Sequence, residues 1–148
     1  MKDPIQKYFQ VGTIQWMTHP PVDYPLLESV KAICCDEYFS ALEITHIEDQ
    51  ETRDKVKDML AQGHMKVCYG AQPRPLGPKL NPNDLNEEGR KKAEAVLIDS
   101  VNEAQYMGAG GIAFLAGKWE PETKEQAYAQ LLKTTRAVCS HAASLGMT

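Results

Sequence analysis

EEGRKKAEAVLIDSVNEAQYMGAGGIAFLAGK, residues 87–118, is the stretch from which the fold can be inferred. Its first part predicts an amphipathic helix, because apolar residues recur at steps of three and four: Ala93, Val96, Leu97, Val101 and Ala104. Asn86 is the expected N-cap and Gly108 the expected stop. Charged residues are expected on the other faces: Glu87, Arg90, Lys91, Glu94 and Glu103. The run GIAFLAG that follows is apolar on both faces and predicts a buried strand, so the stretch forms half of a parallel β/α unit.

The rest of the chain repeats this unit. Strands are predicted at Val11–Met17, Ala41–Thr45, Met65–Ala71 and Gly111–Ala116, each followed by a helical pattern. The first helix is marked by Leu26 to Cys34, with Asp23 as a possible cap, and the second spans about Glu51–Gln62. The last helix spans about Lys124–Leu145, and its apolar stripe includes Leu132 and Cys139. Residues 72–86 predict a polar loop outside the core, and Met147 and Thr148 would open a fifth strand.

Strict alternation of strands and helices predicts one domain with a parallel sheet and right-handed crossovers. Two architectures fit: four β/α units of an eight-fold barrel, which is half of a TIM barrel, or an open doubly wound sheet. A nucleotide-binding open sheet needs a glycine-rich loop after an early strand, but residues 17–21 contain no glycine. The clustered Gly108, Gly110 and Gly111 precede a strand instead. The half-barrel is therefore the favoured architecture, and the open sheet is the alternative.

The composition narrows the classes of partner. The chain has 148 residues, of which 43% are hydrophobic and 24% charged, as in a soluble globular protein. Its net charge of −4 argues against nucleic acid as a partner, and no apolar run approaches the roughly 20 residues of a membrane helix. The N-terminus lacks the apolar segment of a signal peptide. None of the four cysteines lies in a C-x-x-C pair, which predicts reduced thiols and a cytoplasmic protein.

The strands and their flanks resemble the N-terminal half of the xylose-isomerase-like sugar isomerases and epimerases, which are eight-fold β/α barrels. VGTIQWM resembles the first strand of that family, and ALEIT, with an acidic residue inside a short strand, resembles the second. MGAGGIAFLAGK resembles the segment through the fourth strand. ETKEQAYAQLLKTTRAVCSHAASLGMT resembles the helix before the fifth. The resemblance implies a parent enzyme that isomerises or epimerises a sugar or sugar phosphate.

The same resemblance implies that the catalytic groups lie elsewhere. Members of the family hold a divalent metal (manganese, magnesium or cobalt) with two glutamates, an aspartate and a histidine after their fifth and later strands. In the parent, the metal would polarise a carbonyl and a hydroxyl while carboxylates move a proton between carbons. Those ligands would follow Thr148, so this chain alone is expected to hold no metal and to be inactive.

Two alternatives remain open. The first is an abasic-site endonuclease on the same barrel. That family carries histidine ligands at the ends of its third and fourth strands, where this chain reads CYGAQ and FLAGK. The second is a non-catalytic half-barrel that acts only as an assembly partner.

Candidate substrate-binding residues lie at the carboxyl ends of the predicted strands, the working face of a barrel: Trp16, His19, Glu43, His46, Tyr69 and Lys118. An aromatic face such as that of Trp16 stacks on the apolar face of a sugar ring. Glu43 alternates with Leu42 and Ile44, so it faces away from both and needs a partner or a polar cavity. Each candidate also has a structural alternative. Trp16 would be core, Glu43 an ion pair, and the others ordinary surface residues.

A homo-oligomer is expected from the two outer strands. Neither Val11–Met17 nor Gly111–Ala116 contains a proline or a charged residue that would discourage pairing with another chain.

Overall fold

The computed structural model describes residues 3–147 and contains four parallel strands in one sheet. The strands are β1 (Gly12–Ile14), β2 (Ala41–Ile44), β3 (Lys66–Gly70) and β4 (Ile112–Ala113). The α-helices are α1 (Gln15–Thr18), α2 (Leu26–Cys34), α3 (Gln50–Gln62), α4 (Pro73–Leu76), α5 (Glu87–Tyr106) and α6 (Lys124–Ser144). Short 3₁₀ turns lie at Ile5–Lys7 and Pro121–Thr123.

The strand order in the sheet is β1-β2-β3-β4, the same as the order along the chain. A doubly wound sheet starts near its middle and runs outward in both directions, so a sequential order argues against it. In the register, Gly12 lies opposite Ala41 and Ile14 opposite Glu43. A Cβ at Gly12 would stand only 2.9 Å from Ala41 Cβ, so this approach of β1 to β2 requires glycine.

The chain divides into two compact units, and the division lies inside β3 between Cys68 and Tyr69. In unit 1, which ends at Cys68, α2 packs against α3. The burial of β2 alternates, with Leu42 and Ile44 buried and Glu43 half-buried, as expected for a strand covered on one face. The core side chains of the helices in this unit are Val30, Ile33, Val56 and Leu60.

Unit 2, which starts at Tyr69, is built on the packing of α5 against α6. The predicted helix after Asn86 is confirmed, since Asn86 Oδ1 accepts hydrogen bonds from the backbone N–H groups of Glu88 (2.9 Å) and Gly89 (3.4 Å). Its apolar face is buried as the spacing predicts, at Ala93, Leu97, Val101 and Ala104.

The first strand is shorter than predicted. It ends at Ile14, and the residues expected to finish it form the helical turn α1. The Thr18 hydroxyl donates to Ile14 O (3.0 Å) and the His19 N–H donates to Gln15 O (2.9 Å), which closes the chain into this turn. The prediction of Asp23 as a helix cap is wrong, because Pro25 occupies the N-cap of α2 and no side chain caps it.

The prediction of a fully buried fourth strand is also wrong. β4 has two residues, and Leu115 beyond it is 50% exposed. In the part of the chain that the structure describes, α5 packs against β4, and half of the Leu115 side chain remains exposed.

Several polar groups lie deeper than their sequence pattern predicts. Arg90 and Glu103, expected on outer faces of α5, are 4% and 8% exposed, and Thr134 on α6 is fully buried. Pro82 and Asn83 are buried although their loop was expected outside the core. Conversely, Leu132 and Cys139 of the predicted α6 stripe are exposed.

The predicted fifth strand falls at the limit of the described residues. Met147 is buried, and its N–H donates to Ala142 O (3.0 Å) after Gly146 ends α6 with φ +73°. Thr148 lies outside the described residues. Across residues 3–147, no helix combines the length and apolar character that crossing a bilayer requires.

Candidate functional site

In unit 1, the carboxyl ends of β1 and β2 enclose a cavity of about 180 Å³. Its lining brings together two predicted site residues, Trp16 and His46, with Gln15, Pro21, Tyr24, Leu26, Ile44, Thr45 and Ile47. Ligand pockets commonly measure roughly 300–1,000 Å³. This cavity therefore has room for part of a sugar-sized ligand, and Trp16, His46 and Thr45 are among the residues that line it.

Gln15, which lines this cavity, is held in place by a buried hydrogen bond. The residue is 4% exposed, and its Nε2 donates to Ser29 Oγ on α2 (2.8 Å), whose hydroxyl in turn donates to Leu26 O (2.8 Å). This chain of hydrogen bonds ties α1 to α2, and it fixes the turn on which the neighbouring Trp16 is carried. Satisfied buried amides of this kind hold nearby side chains in one geometry.

His19 and Glu43 are not among the residues that line the cavity. The His19 ring packs edge-on against Tyr24, with centroids 4.9 Å apart, so His19 contacts a residue that lines the cavity. Glu43 lies on the face of β2 opposite the buried Leu42 and Ile44. Burial raises the pKa of the Glu43 carboxyl, because partial removal from water disfavours its charged form.

In unit 2, the chain beyond the carboxyl ends of β3 and β4 lines a groove of about 760 Å³. The predicted Lys118 is one of its lining residues, together with Leu76, Lys79, Leu80, Asn81, Leu115, Ala116 and Gly117. The lining includes two lysines and no acidic residue, so the groove is suited to an anionic or polar ligand.

Trp119 is a residue that the strand-end reasoning missed. It is 51% exposed, lines a neighbouring cavity of about 390 Å³ with Tyr128 and Leu131, and has the Lys124 ammonium 5.7 Å from its ring centroid. The available signal was its position, directly after the predicted Lys118 in the same loop.

Tyr69 is also absent from the linings of the cavity in unit 1 and the groove in unit 2. Its side chain is 1% exposed, and its hydroxyl donates to Glu103 Oε2 on α5 (2.8 Å). Tyr69 has the same parity along β3 as the buried Val67, so it points to the helix side of the strand. The alternation of side chains along β3 indicates the direction of the Tyr69 side chain, whereas the closeness of Tyr69 to the strand end does not.

Among residues 3–147, no group of three or more His, Cys, Asp or Glu side chains is arranged to hold a metal ion. The four cysteines are free thiols.

Comparison with known proteins gives a match in structure. No family model matches the chain, and no curated protein matches it in sequence. Among solved structures, the chain is similar to the D-psicose 3-epimerase from Clostridium cellulolyticum H10, crystallised with D-tagatose, with a TM-score of 0.72 and 15% identity.

The likeness covers 94% of this chain and 50% of the epimerase, so the chain spans about half the length of that protein. At this identity the likeness shows the fold alone. The chain has the α/β fold of half a TIM barrel, which confirms the predicted fold class.

Proposed function

We propose that this chain belongs to a sugar isomerase or epimerase and supplies part of its substrate pocket. The likeness in fold to a sugar epimerase, over 94% of the chain, carries the proposal. In a β/α barrel, substrates bind at the carboxyl ends of the strands. Both the cavity of unit 1 and the groove of unit 2 lie at such ends.

Trp16 and His46 are the proposed binding groups of unit 1. The half-buried indole of Trp16 offers a flat apolar surface to the C–H face of a sugar ring. The imidazole of His46 and the hydroxyl of Thr45, which line the same cavity, can exchange hydrogen bonds with sugar hydroxyls. Together they would orient a ring without reacting with it.

Lys118 and Lys79 are the proposed binding groups of unit 2. Both line the groove, which has no acidic lining residue. Ammonium groups pair well with phosphate oxygens, so of the two substrate forms, free sugar and sugar phosphate, the groove favours the phosphorylated one.

A divalent metal such as manganese, magnesium or cobalt is proposed for the full-length parent. When bound, it would polarise the carbonyl and hydroxyl of the sugar. The described residues do not fit such an ion, since they form no ligand cluster. The role proposed for this chain is therefore to bind and orient the substrate.

The direct test is an epimerase and isomerase assay on the full-length protein. Ketohexoses, D-tagatose among them, and their phosphate esters would be supplied with Mn²⁺, Mg²⁺ or Co²⁺, or with a chelator. Trp16→Ala is expected to lower kcat/KM by about tenfold, which corresponds to ~1.4 kcal/mol of lost ring contact. Met17→Ala is the matched control, because Met17 is adjacent, 69% exposed and absent from the cavity lining.

Two results would contradict the proposal. One is that no sugar or sugar phosphate is turned over with any of the three metals, which would favour a non-catalytic assembly role. The other is that Trp16→Ala unfolds the protein while Met17→Ala does not, which would make Trp16 a core residue.

A further inference from the structure

Asn81, Pro82 and Asn83, here called the NPN segment, lie against the turn that follows β4. Asn81 Nδ2 donates to Lys118 O (3.1 Å). A Cβ added to Gly117 would stand 1.9 Å from Asn81 Oδ1 and 2.7 Å from Asn83 Oδ1. Gly117 also has φ +92°, a conformation that residues with a side chain rarely adopt. The two asparagines therefore hold this turn where only a glycine backbone fits.

The NPN segment is itself fixed from behind by a buried polar chain. The Thr134 hydroxyl on α6 donates to Pro82 O (2.8 Å) and accepts from Arg90 Nη1 on α5 (2.9 Å). Arg90 is held in turn by two hydrogen bonds to Glu87 (2.7 and 3.1 Å) and one to Glu94. The Arg90 side chain is 5% exposed and Thr134 is fully buried, so this chain has little freedom to move.

One group in the NPN segment is left unsatisfied. Asn83 is 4% exposed, and its Oδ1 is buried without a hydrogen-bond partner within residues 3–147. An unpaired buried amide oxygen is unfavourable, and such groups persist where the surrounding structure imposes the geometry. The Asn83 Oδ1 atom lies beside Gly117, which agrees with a role for the NPN segment in shaping the turn after β4.

We infer that the Arg90–Thr134–Pro82 chain positions the turn Gly117–Lys118–Trp119 for substrate. Thr134 is a positioning residue, because it lies outside the lining of the groove and fixes the backbone that carries Lys118 and Trp119. Asn81 lines the groove itself and fixes the same backbone through its hydrogen bond to Lys118 O. The inference rests on the proposed function for the identity of the ligand, whereas the positioning can be measured without any ligand.

The test uses fluorine NMR of the protein labelled with fluorotryptophan. The chain has two tryptophans, and Trp16, which lies in unit 1, serves as an internal reference. Three variants on α6 are compared. Thr134→Val removes the hydroxyl and keeps the shape, Thr134→Ser keeps the hydroxyl, and Val138→Ala removes core volume one turn away at a residue 2% exposed. Thermal unfolding first establishes that each variant is folded.

Thr134→Val is expected to move the Trp119 resonance by more than its line width and to leave the Trp16 resonance in place. Thr134→Ser and Val138→Ala are expected to move neither. An unmoved Trp119 resonance in Thr134→Val, or an equal movement in Val138→Ala, would overturn the inference. If Thr134→Val does not fold, Asn81→Ala, which removes the hydrogen bond to Lys118 O directly, is measured in its place with the same two outcomes.

The two proposals fail in different ways. If the full-length protein turns over no sugar, the proposed function fails, and the fluorine result still decides the positioning. If turnover is found, Thr134→Val should lower kcat/KM more than Val138→Ala does, and Thr134→Ser should restore it. Equal losses of kcat/KM in Thr134→Val and Val138→Ala would show that Thr134 supports the fold only and does not position the turn.

Discussion

Gly117 shows how one missing side chain shapes the loop after β4. Its φ of +92° and the Asn81 Oδ1 atom 1.9 Å from a would-be Cβ both disfavour a larger residue. Gly117→Ala is therefore expected to lower the free energy of unfolding by about 1–3 kcal/mol. Gly110→Ala is the control, because no atom lies within 4 Å of its would-be Cβ. Urea unfolding of the two variants measures the difference, and equal stabilities would contradict the strained turn.

The pKa of Glu43 depends on how far its carboxyl group is removed from water. Burial raises its pKa above the ordinary 4.5, so the folded protein holds this proton more tightly than the unfolded chain does. The cost of ionising Glu43 is absent below about pH 4 and grows as the pH rises through the folded-state pKa. Glu43→Gln should therefore gain stability relative to the natural protein as the pH rises above the ordinary pKa of 4.5.

Thermal unfolding at several pH values gives this difference. Glu28→Gln, at an exposed position on α2, controls for the loss of one negative charge. If the melting temperatures of the natural protein and of Glu43→Gln change in parallel with pH, the prediction is contradicted. Glu43 would then not be desolvated in the folded protein.

At the scale of the element, α5 depends on charge as well as on its apolar face. The Arg90 guanidinium lowers the pKa of Glu87 to about 2 from the ordinary 4.5. Stability from this pair is present above pH 4.5 and is lost as the pH falls toward about 2. Glu87→Gln should therefore be less stable than the natural protein near neutral pH, and the difference should shrink in acid.

Urea unfolding over this pH range, with Glu120→Gln at an exposed loop position as the control, is the measurement. A difference between Glu87→Gln and the natural protein that stays constant down to about pH 2 would contradict the pairing, because protonating Glu87 removes the charge that Arg90 needs.

Helix α5 shows which structural features can be predicted from the sequence and which cannot. Periodicity and the Asn86 cap located α5 because both depend on residues close along the chain. The burial of Arg90 depends on Thr134, 44 residues later, so no local pattern could predict it. By contrast, the alternation of side chains along β3 did indicate that Tyr69 points to the helix side of the strand.

The candidate site was predictable to a similar extent. Trp16, His46 and Lys118, predicted from the rule that barrel substrates bind at strand ends, line cavities there, and their role in binding stays a prediction. The rule could not locate Asn81, whose contact with Lys118 joins positions 37 residues apart.

At the scale of the whole molecule, the outer strands of the sheet are β1 and β4. Neither Gly12–Ile14 nor Ile112–Ala113 has a proline or a charge that would block pairing. Leu115, which follows β4, is 50% exposed. We propose that the chain forms a dimer or larger species, and light scattering measures its mass. Ala113→Lys, at an exposed position of β4, should shift the chain toward monomer. A cooperatively unfolding monomer at micromolar concentration would contradict the proposal.

We propose that substrate binds at the carboxyl ends of the strands, and amide NMR during titration with D-tagatose and with its phosphate ester tests this claim. The amides expected to shift lie at residues 15–19 and 45–47 in unit 1 and at residues 79–83 and 115–119 in unit 2. The loops at the amino ends of β3 and β4, residues 63–65 and 108–111, should stay unchanged. Shifts confined to those amino-end loops, or no shifts with either ligand, would contradict the claim.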